Sequence, residues 1–237
     1  LTTCARLTGE VRAALDDLAH PTHATLPTAA WGFVPQHETW KDAWQGLHHA
    51  YRQFARRLGV GLGPLQMHAL DRFEDQLEAL DTASEWTLVH RDLQPSNLWL
   101  DPETLSLQAV LGWSGAIIGD PLVDWIQPLQ LPGIYLSAFI QGAGEQATRR
   151  LESPEARARL DCYAITRALA RLAMAGLPQR TRLQRAEALE HSHREFEDLR
   201  DNHWTRTRLE ASHRPRSPAI QIPRIPLRQQ VLRATLD

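Results

Sequence analysis

The sequence predicts an α+β fold, mostly helical, with one small β-hairpin region. Three observations predict it. Apolar residues recur at alternating steps of three and four over most of the chain. Between Trp86 and Trp113 that period gives way to short apolar runs divided by a turn, and helix start and stop signals return beyond Pro121. The 237 residues, 43% hydrophobic and 23% charged, suffice for one domain with a substantial core and exclude disorder as the main state.

The elements follow in order. Leu7 to Leu18 reads as a helix with Val11, Leu15 and Leu18 on one face, and Pro21 to Pro35 as a loop packed on the surface. Trp40, Trp44, Leu47, Tyr51, Phe54 and Leu58 form a continuous stripe, read as core, ended by Gly59. Gly59 to Pro64 is not a phosphate loop, because no strand precedes it and Pro64 has no N–H. Leu70, Phe73, Leu77 and Leu80 mark the next buried face, with Asp71, Glu74, Asp75 and Glu78 in solvent. Trp86 to His90, Leu98 to Leu100 and Leu107 to Leu111 read as β-segments, the last two joined by a turn at Asp101-Pro102-Glu103-Thr104. Ser153-Pro154-Glu155 starts a helix through Ile165, Leu169 and Leu172 that stops at Gly176. A last helix, Thr181 to Leu199, uses Leu183, Ala186, Leu189, Phe196 and Leu199.

Composition also bounds the partners. The 26 basic and 28 acidic residues, net charge -2, make no chain-wide case for nucleic acid or anionic membrane. The longest weakly polar run, Ala109 to Gly119, is about half of a bilayer-spanning helix, and no basic-then-apolar leader opens the chain. Cys4 and Cys162 have no metal-like or disulfide-framework spacing, so a reducing, cytoplasmic location is expected. Residues 1–204 are expected to form one lobe. Residues 205–237, with seven arginines and four prolines, are expected to form a basic, flexible tail. His48-His49 and His191-x-His193 lack the spacing of a metal pair and are read as surface histidines.

The segment Leu88-Val89-His90-Arg91-Asp92-Leu93-Gln94-Pro95-Ser96-Asn97-Leu98 stands apart. It sets a carboxylate and a carboxamide five residues apart in a Pro-containing loop between two apolar β-segments. Phosphoryl transfer uses such a pair: Asp92 accepts the proton of an incoming hydroxyl, and Asn97 offers oxygen to Mg²⁺ carried on ATP phosphates.

This string resembles the catalytic loop of the protein-kinase-like superfamily, and Gly119-Asp120-Pro121-Leu122-Val123-Asp124-Trp125 resembles the Gly-Asp-Pro-x-x-Asp-Leu stretch of aminoglycoside phosphotransferases and related small-molecule kinases. No Ala-Pro-Glu motif of protein kinases is present. The resemblance implies a protein-kinase-like C-terminal lobe with its sharp motifs in His90 to Trp125. It implies Asp92 as catalytic base, Asn97 as metal ligand, His90 and Asp124 as supports of the loop, and Gln94 near the γ-phosphate, where relatives often carry Lys or His. Cofactors would be ATP and Mg²⁺, and the acceptor a hydroxyl of a small polar molecule.

Two departures bear on activity. Relatives carry a metal-bridging Asp where this chain has Val110-Leu111-Gly112-Trp113, so Gly112 offers no ligand. The helical reading before His90 leaves no N-terminal β lobe with its strand lysine, and Lys41 is the sole lysine of the chain. The expected function is therefore an impaired ATP-dependent phosphotransferase; the alternative is a catalytically inactive pseudokinase lobe or remnant acting as a binding module.

Overall fold

The computed structural model describes residues 2–17 and 39–200. The Pro21–Pro35 loop, Leu18 and the 205–237 tail lie outside the described residues.

Helix α1, Thr2–Asp16, is followed by α2, Trp40–Arg57, and α3, Pro64–Gln76, which runs on into a 3-10 turn, Leu77–Thr82. Strand β1, Thr87–Val89, leads through a loop to β2, Leu98–Leu100, and β3, Leu107–Val110; β4 is Ile117–Gly119. A 3-10 segment, Pro121–Trp125, passes into α4, Ile126–Leu129, and α5, Gly133–Arg149, which is kinked where Gly144 takes φ 82. Helices α6, Pro154–Ala175, and α7, Arg182–Asp198, complete the described chain. No helix among the described residues is long and apolar enough to cross a membrane.

The start signal at Ser153 acts where expected, and two further caps join it. Thr39 caps α2, Ser153 caps α6 with Pro154 at its first position, and Thr181 caps α7. At the end of α2, Gly59 (φ 69) lets its own N–H reach the Arg56 carbonyl and the Val60 N–H reach the Ala55 carbonyl, a Schellman stop rather than an anion loop. In the 101–104 turn one Asp101 oxygen accepts from the Glu103 and Thr104 N–H groups.

The main core lies among α2, α3 and α6. The Trp40 indole N–H donates to the Tyr163 hydroxyl (2.8 Å), the Trp44 indole N–H to Thr166 Oγ1 (3.1 Å), and Leu70, Phe73 and Leu80 close the layer. A second, smaller cluster joins Val11 and Leu15 of α1 to Leu93, within the 90–97 loop, and Leu98, just after it. Helix α1 itself packs on α5, close enough that a Cβ at Gly9 would strike the Phe139 carbonyl and one at Gly142 the Arg6 carbonyl.

Four expectations are corrected. The β region holds four strands in two separate ladders: β1 pairs antiparallel with β4 (Leu88 opposite Ile118), and β2 with β3 (Trp99 opposite Ala109). Three residues of an uninterrupted apolar run carry no period, so β4 gave no signal of its own. In α2 the buried residues are Trp40, Trp44, His48 and Ala55, and Phe54 is exposed. At about 100° per residue the packed face is rotated roughly 50° from the stripe's centre. His48 is thus buried, stacked on Phe73 at 3.8 Å, and not on the surface. In α7 the packing on the lobe runs through Leu189, Ser192, Glu195 and Phe196, while Leu183 and Ala186 are exposed.

Candidate active site

The loop between β1 and β2 is built on one buried carboxylate. Asp124, carried by the 3-10 segment after β4, accepts from the backbone N–H of His90 (Oδ2, 3.0 Å) and of Arg91 (Oδ1, 2.7 Å). These bonds hold Arg91 at φ 69, a left-handed conformation that costs a non-glycine residue about 1–2 kcal/mol. Beneath Asp124 lies Arg12 of α1, whose guanidinium donates to Asp124 Oδ2 (2.5 Å), the Leu88 carbonyl (3.2 Å) and Thr87 Oγ1 (2.9 Å). Both charged side chains are fully buried, so helix, strand and loop share one ion pair.

His90, also buried, braces the loop from inside. Its Nε2–H points at the Leu111 carbonyl (2.7 Å) and its Nδ1 accepts from the Asp92 N–H (3.3 Å), a pairing that assigns the proton to Nε2. The Trp113 ring lies 4.5 Å from the imidazole. The outer end of the loop is thereby tied to the segment after β3.

Asp92 is exposed at the tip of this scaffold. The Asn97 amide N–H₂ donates to the Asp92 carbonyl (2.7 Å) and to Asp92 Oδ2 (3.0 Å), and Gln94 donates to both carboxylate oxygens at 3.1 Å. Because both neighbours of the Asn97 nitrogen are pure acceptors, the amide orientation is fixed and Oδ1 is left facing away from Asp92. Gly112 sits opposite: a Cβ built on it would lie 3.2 Å from Asn97 Nδ2 and 3.5 Å from Oδ1. Positions 92, 97 and 112, separated by up to twenty residues of sequence, thus meet at one point. Gly112 has φ 84 and ψ 28, the left-handed geometry glycine tolerates best.

Behind Asp92 lies a row of side chains that sequence reasoning missed. Gln127 of α4 donates to Gln94 Oε1 (2.7 Å), Arg171 of α6 reaches Gln127 Oε1 (3.4 Å), and Arg171 is ion-paired with Glu195 of α7. Arg167 stands one helical turn before Arg171. No local pattern announces these contacts. Arg12 had a faint one, a charge set among the buried Thr8, Val11 and Leu15 of its own helix.

The remaining titratable groups fall elsewhere. Asp120 caps its own turn and accepts from Arg159 (2.8 Å) and the Tyr163 hydroxyl (2.7 Å), so it is part of the core. Lys41 lies on α2, held by Asp81 (2.7 Å) and Glu78 (3.1 Å). A cleft bordered by Thr82, Glu85, Asp120, Arg150 and Arg159 contains none of the residues around Asp92.

A helical lobe with small antiparallel ladders thus carries a His-Arg-Asp loop locked to a Gly-Asp-Pro-x-x-Asp segment, with a carboxylate presented beside a carboxamide. The chain belongs to the phosphotransferase enzyme family, whose model matches residues 2–151. Among solved structures, a candidate aminoglycoside phosphotransferase of Ralstonia eutropha JMP134 shares the fold with a TM-score of 0.51 at 16% identity, over 87% of this chain and 65% of that one. The apoenzyme of macrolide 2'-phosphotransferase MphH from Brachybacterium faecium is 22% identical with a TM-score of 0.40, over 92% of this chain and 61% of that one. The chain therefore spans less than two-thirds of the length of either structure. No curated protein matches it.

Proposed function

We propose that this chain carries the catalytic-loop lobe of an ATP-dependent small-molecule phosphotransferase, and that transfer by it is impaired at Gly112. The observation that carries the reading is the meeting of Asp92, Asn97 and position 112 on a scaffold fixed by His90 and Asp124. On this reading Asp92 receives the proton of the acceptor hydroxyl, and Gln94 and Asn97 fix its rotamer, so that positioning supplies much of the acceleration. The acceptor is a hydroxyl of a small polar molecule.

The fit to Mg²⁺ is half complete. Asn97 Oδ1 lies 3.5 Å from a Cβ built on Gly112, whereas Gly112 supplies no carboxylate, and among the described residues no group of three His, Cys, Asp or Glu could hold a metal ion. When bound, the ion would neutralise charge on the transferring phosphate. The residues present do not complete its site.

Nucleotide binding is correspondingly weak on this reading. No strand precedes β1 among the described residues, and the only lysine, Lys41, is committed to a helix surface. ATP·Mg²⁺ should bind no tighter than about 1 mM.

Gly112 also favours a second reading, a pseudokinase lobe that binds without transferring phosphate. Phosphate transfer from γ-labelled ATP to a mixture of small polyols separates the two. The first reading expects a trace rate that Asp92→Asn lowers by roughly 10²-fold or more and Gly112→Asp raises. A rate indifferent to Asp92→Asn overturns it, and no rate in either the native chain or Gly112→Asp leaves the pseudokinase.

A further inference from the structure

We propose that Gln127 is a positioning residue for Asp92: it orients the Gln94 amide that clamps the Asp92 carboxylate, and through Arg171 and Glu195 it ties that carboxylate to α6 and α7. The inference rests on the reading of Asp92 as the residue that receives the acceptor proton, and goes beyond it by naming what holds the carboxylate from behind.

The two charged ends of this row fix the direction of every bond in it. A carboxylate only accepts, so Gln94, whose Nε2 lies 3.1 Å from each Asp92 oxygen, must turn its N–H₂ toward Asp92. Its Oε1 then faces Gln127, 2.7 Å away, which must answer with its own N–H₂. A guanidinium only donates, so Arg171 Nη2, at 3.4 Å, requires the Gln127 oxygen on its side. Each amide has one allowed orientation. Donation therefore runs one way, from Arg171 through Gln127 and Gln94 to Asp92, and bonds aligned in this manner polarise one another. Glu195 anchors the far end by its ion pair with Arg171, whose Nη1 also lies 3.4 Å from His191 Nε2.

The place of Gln127 in the chain suits this part. Helix α4 buries Ile126, Pro128 and Leu129, and Gln127 is its one half-buried residue. It stands three residues after Asp124, which holds the His90 and Arg91 N–H groups. One short segment thus grips the loop twice, at the backbone through Asp124 and at the Asp92 side chain through Gln127 and Gln94. The second grip matters because Asn97 bonds only Oδ2 of Asp92, whereas Oδ1 is held by Gln94 alone. With the Gln94 amide released, the carboxylate can turn about its own bond, away from the orientation that meets a hydroxyl.

The test is NMR of the glutamine side-chain amides of the whole chain, native and Gln127→Glu. Glutamate keeps the shape and the acceptor for Arg171 but has no donor for Gln94. In the native chain the Gln94 and Gln127 N–H₂ hydrogens should exchange with water about fivefold or more slower than those of the exposed Gln141. In Gln127→Glu the Gln94 hydrogens should lose that protection, while the Trp40 and Trp44 indole N–H signals, bonded to Tyr163 and Thr166 in the core, stay where they are. The variant should also lower the trace transfer rate about tenfold with the KM for ATP unchanged. The proposal is overturned by native exchange as fast as that of Gln141, by protection of Gln94 that survives in Gln127→Glu, or by a transfer rate that the variant leaves unchanged. If the variant does not fold, the native comparison decides alone. Protection of Gln94 that survives, beside a rate that Asp92→Asn lowers, would remove the positioning role and leave the phosphotransferase. Released Gln94 hydrogens beside a rate indifferent to Asp92→Asn would leave the contact and remove the phosphotransferase reading.

Discussion

At the scale of single residues, the buried Arg12–Asp124 pair sets the position of everything at the loop tip. Two charges taken fully out of water add little net stability as a pair, but removing one strands the other. Asp124→Ala should therefore destabilise the chain by about 3–5 kcal/mol, read as a shift in the urea midpoint, and replacing Arg12 by Met in the same chain should recover part of the loss. Full additivity of the two losses would show that they do not act as a unit. His48 is a second residue with a measurable signature. Its Nδ1 hydrogen-bonds Thr166, whose hydroxyl is donated to the Cys162 carbonyl, and its Nε2 is buried without a partner. Burial first, then Arg52 and His49, lower its pKa from 6.5 to about 4. Between those values the unfolded chain takes up a proton that the folded chain refuses, so stability is intact above pH 6.5 and falls as the pH drops toward 4. The loss should reach about 3 kcal/mol, and His48→Leu should flatten that part of the stability–pH curve. An unchanged slope in the variant would show that other groups carry it.

At the scale of elements, the contact of α1 with α5 brings Arg12 to the loop. The crossing depends on Gly9 and Gly142, because neither helix leaves room for a Cβ there. Gly142→Ala should cost about 1–3 kcal/mol by overpacking, despite the better helix propensity of alanine. A more stable variant by thermal melting would contradict the close approach. This crossing was not legible in the sequence, since two glycines 133 positions apart announce no meeting. The helices with strong periodicity were legible, as were the capped starts at Ser153 and Thr181, because their signals are local. His48 was misread because its neighbour His49 is exposed and adjacency hid which of the two faces the core. The candidate site divides along the same line. Asp92, Asn97, His90 and Asp124 stand in two contiguous strings whose spacing carries chemistry, whereas Arg12, Gln127 and Arg171 join the site only through packing.

At the scale of the whole molecule, two clusters of apolar residues do different work. The larger, around Trp40, Trp44 and Tyr163, makes α2, α3 and α6 a rigid body; the smaller, around Leu93 and Leu98, clamps the loop to α1. The loop is therefore positioned from below by Asp124 and from the side by His90. What it presents outward is a carboxylate, a carboxamide and a glycine. On the proposed reading, Gly112 stands where a metal-binding carboxylate would complete this set. The most direct measurement is the affinity for ATP with and without Mg²⁺ in the native chain, in Gly112→Asp, and in Gly112→Asp with Asn97→Ala. The Cβ position 3.2 Å from the Asn97 amide predicts a shared site, offset by strain of about 1 kcal/mol from the left-handed backbone. ATP affinity should become Mg²⁺-dependent in Gly112→Asp and should lose that dependence when Asn97 is also replaced. A Mg²⁺ dependence already present in the native chain, or one in Gly112→Asp that survives Asn97→Ala, would contradict that reading.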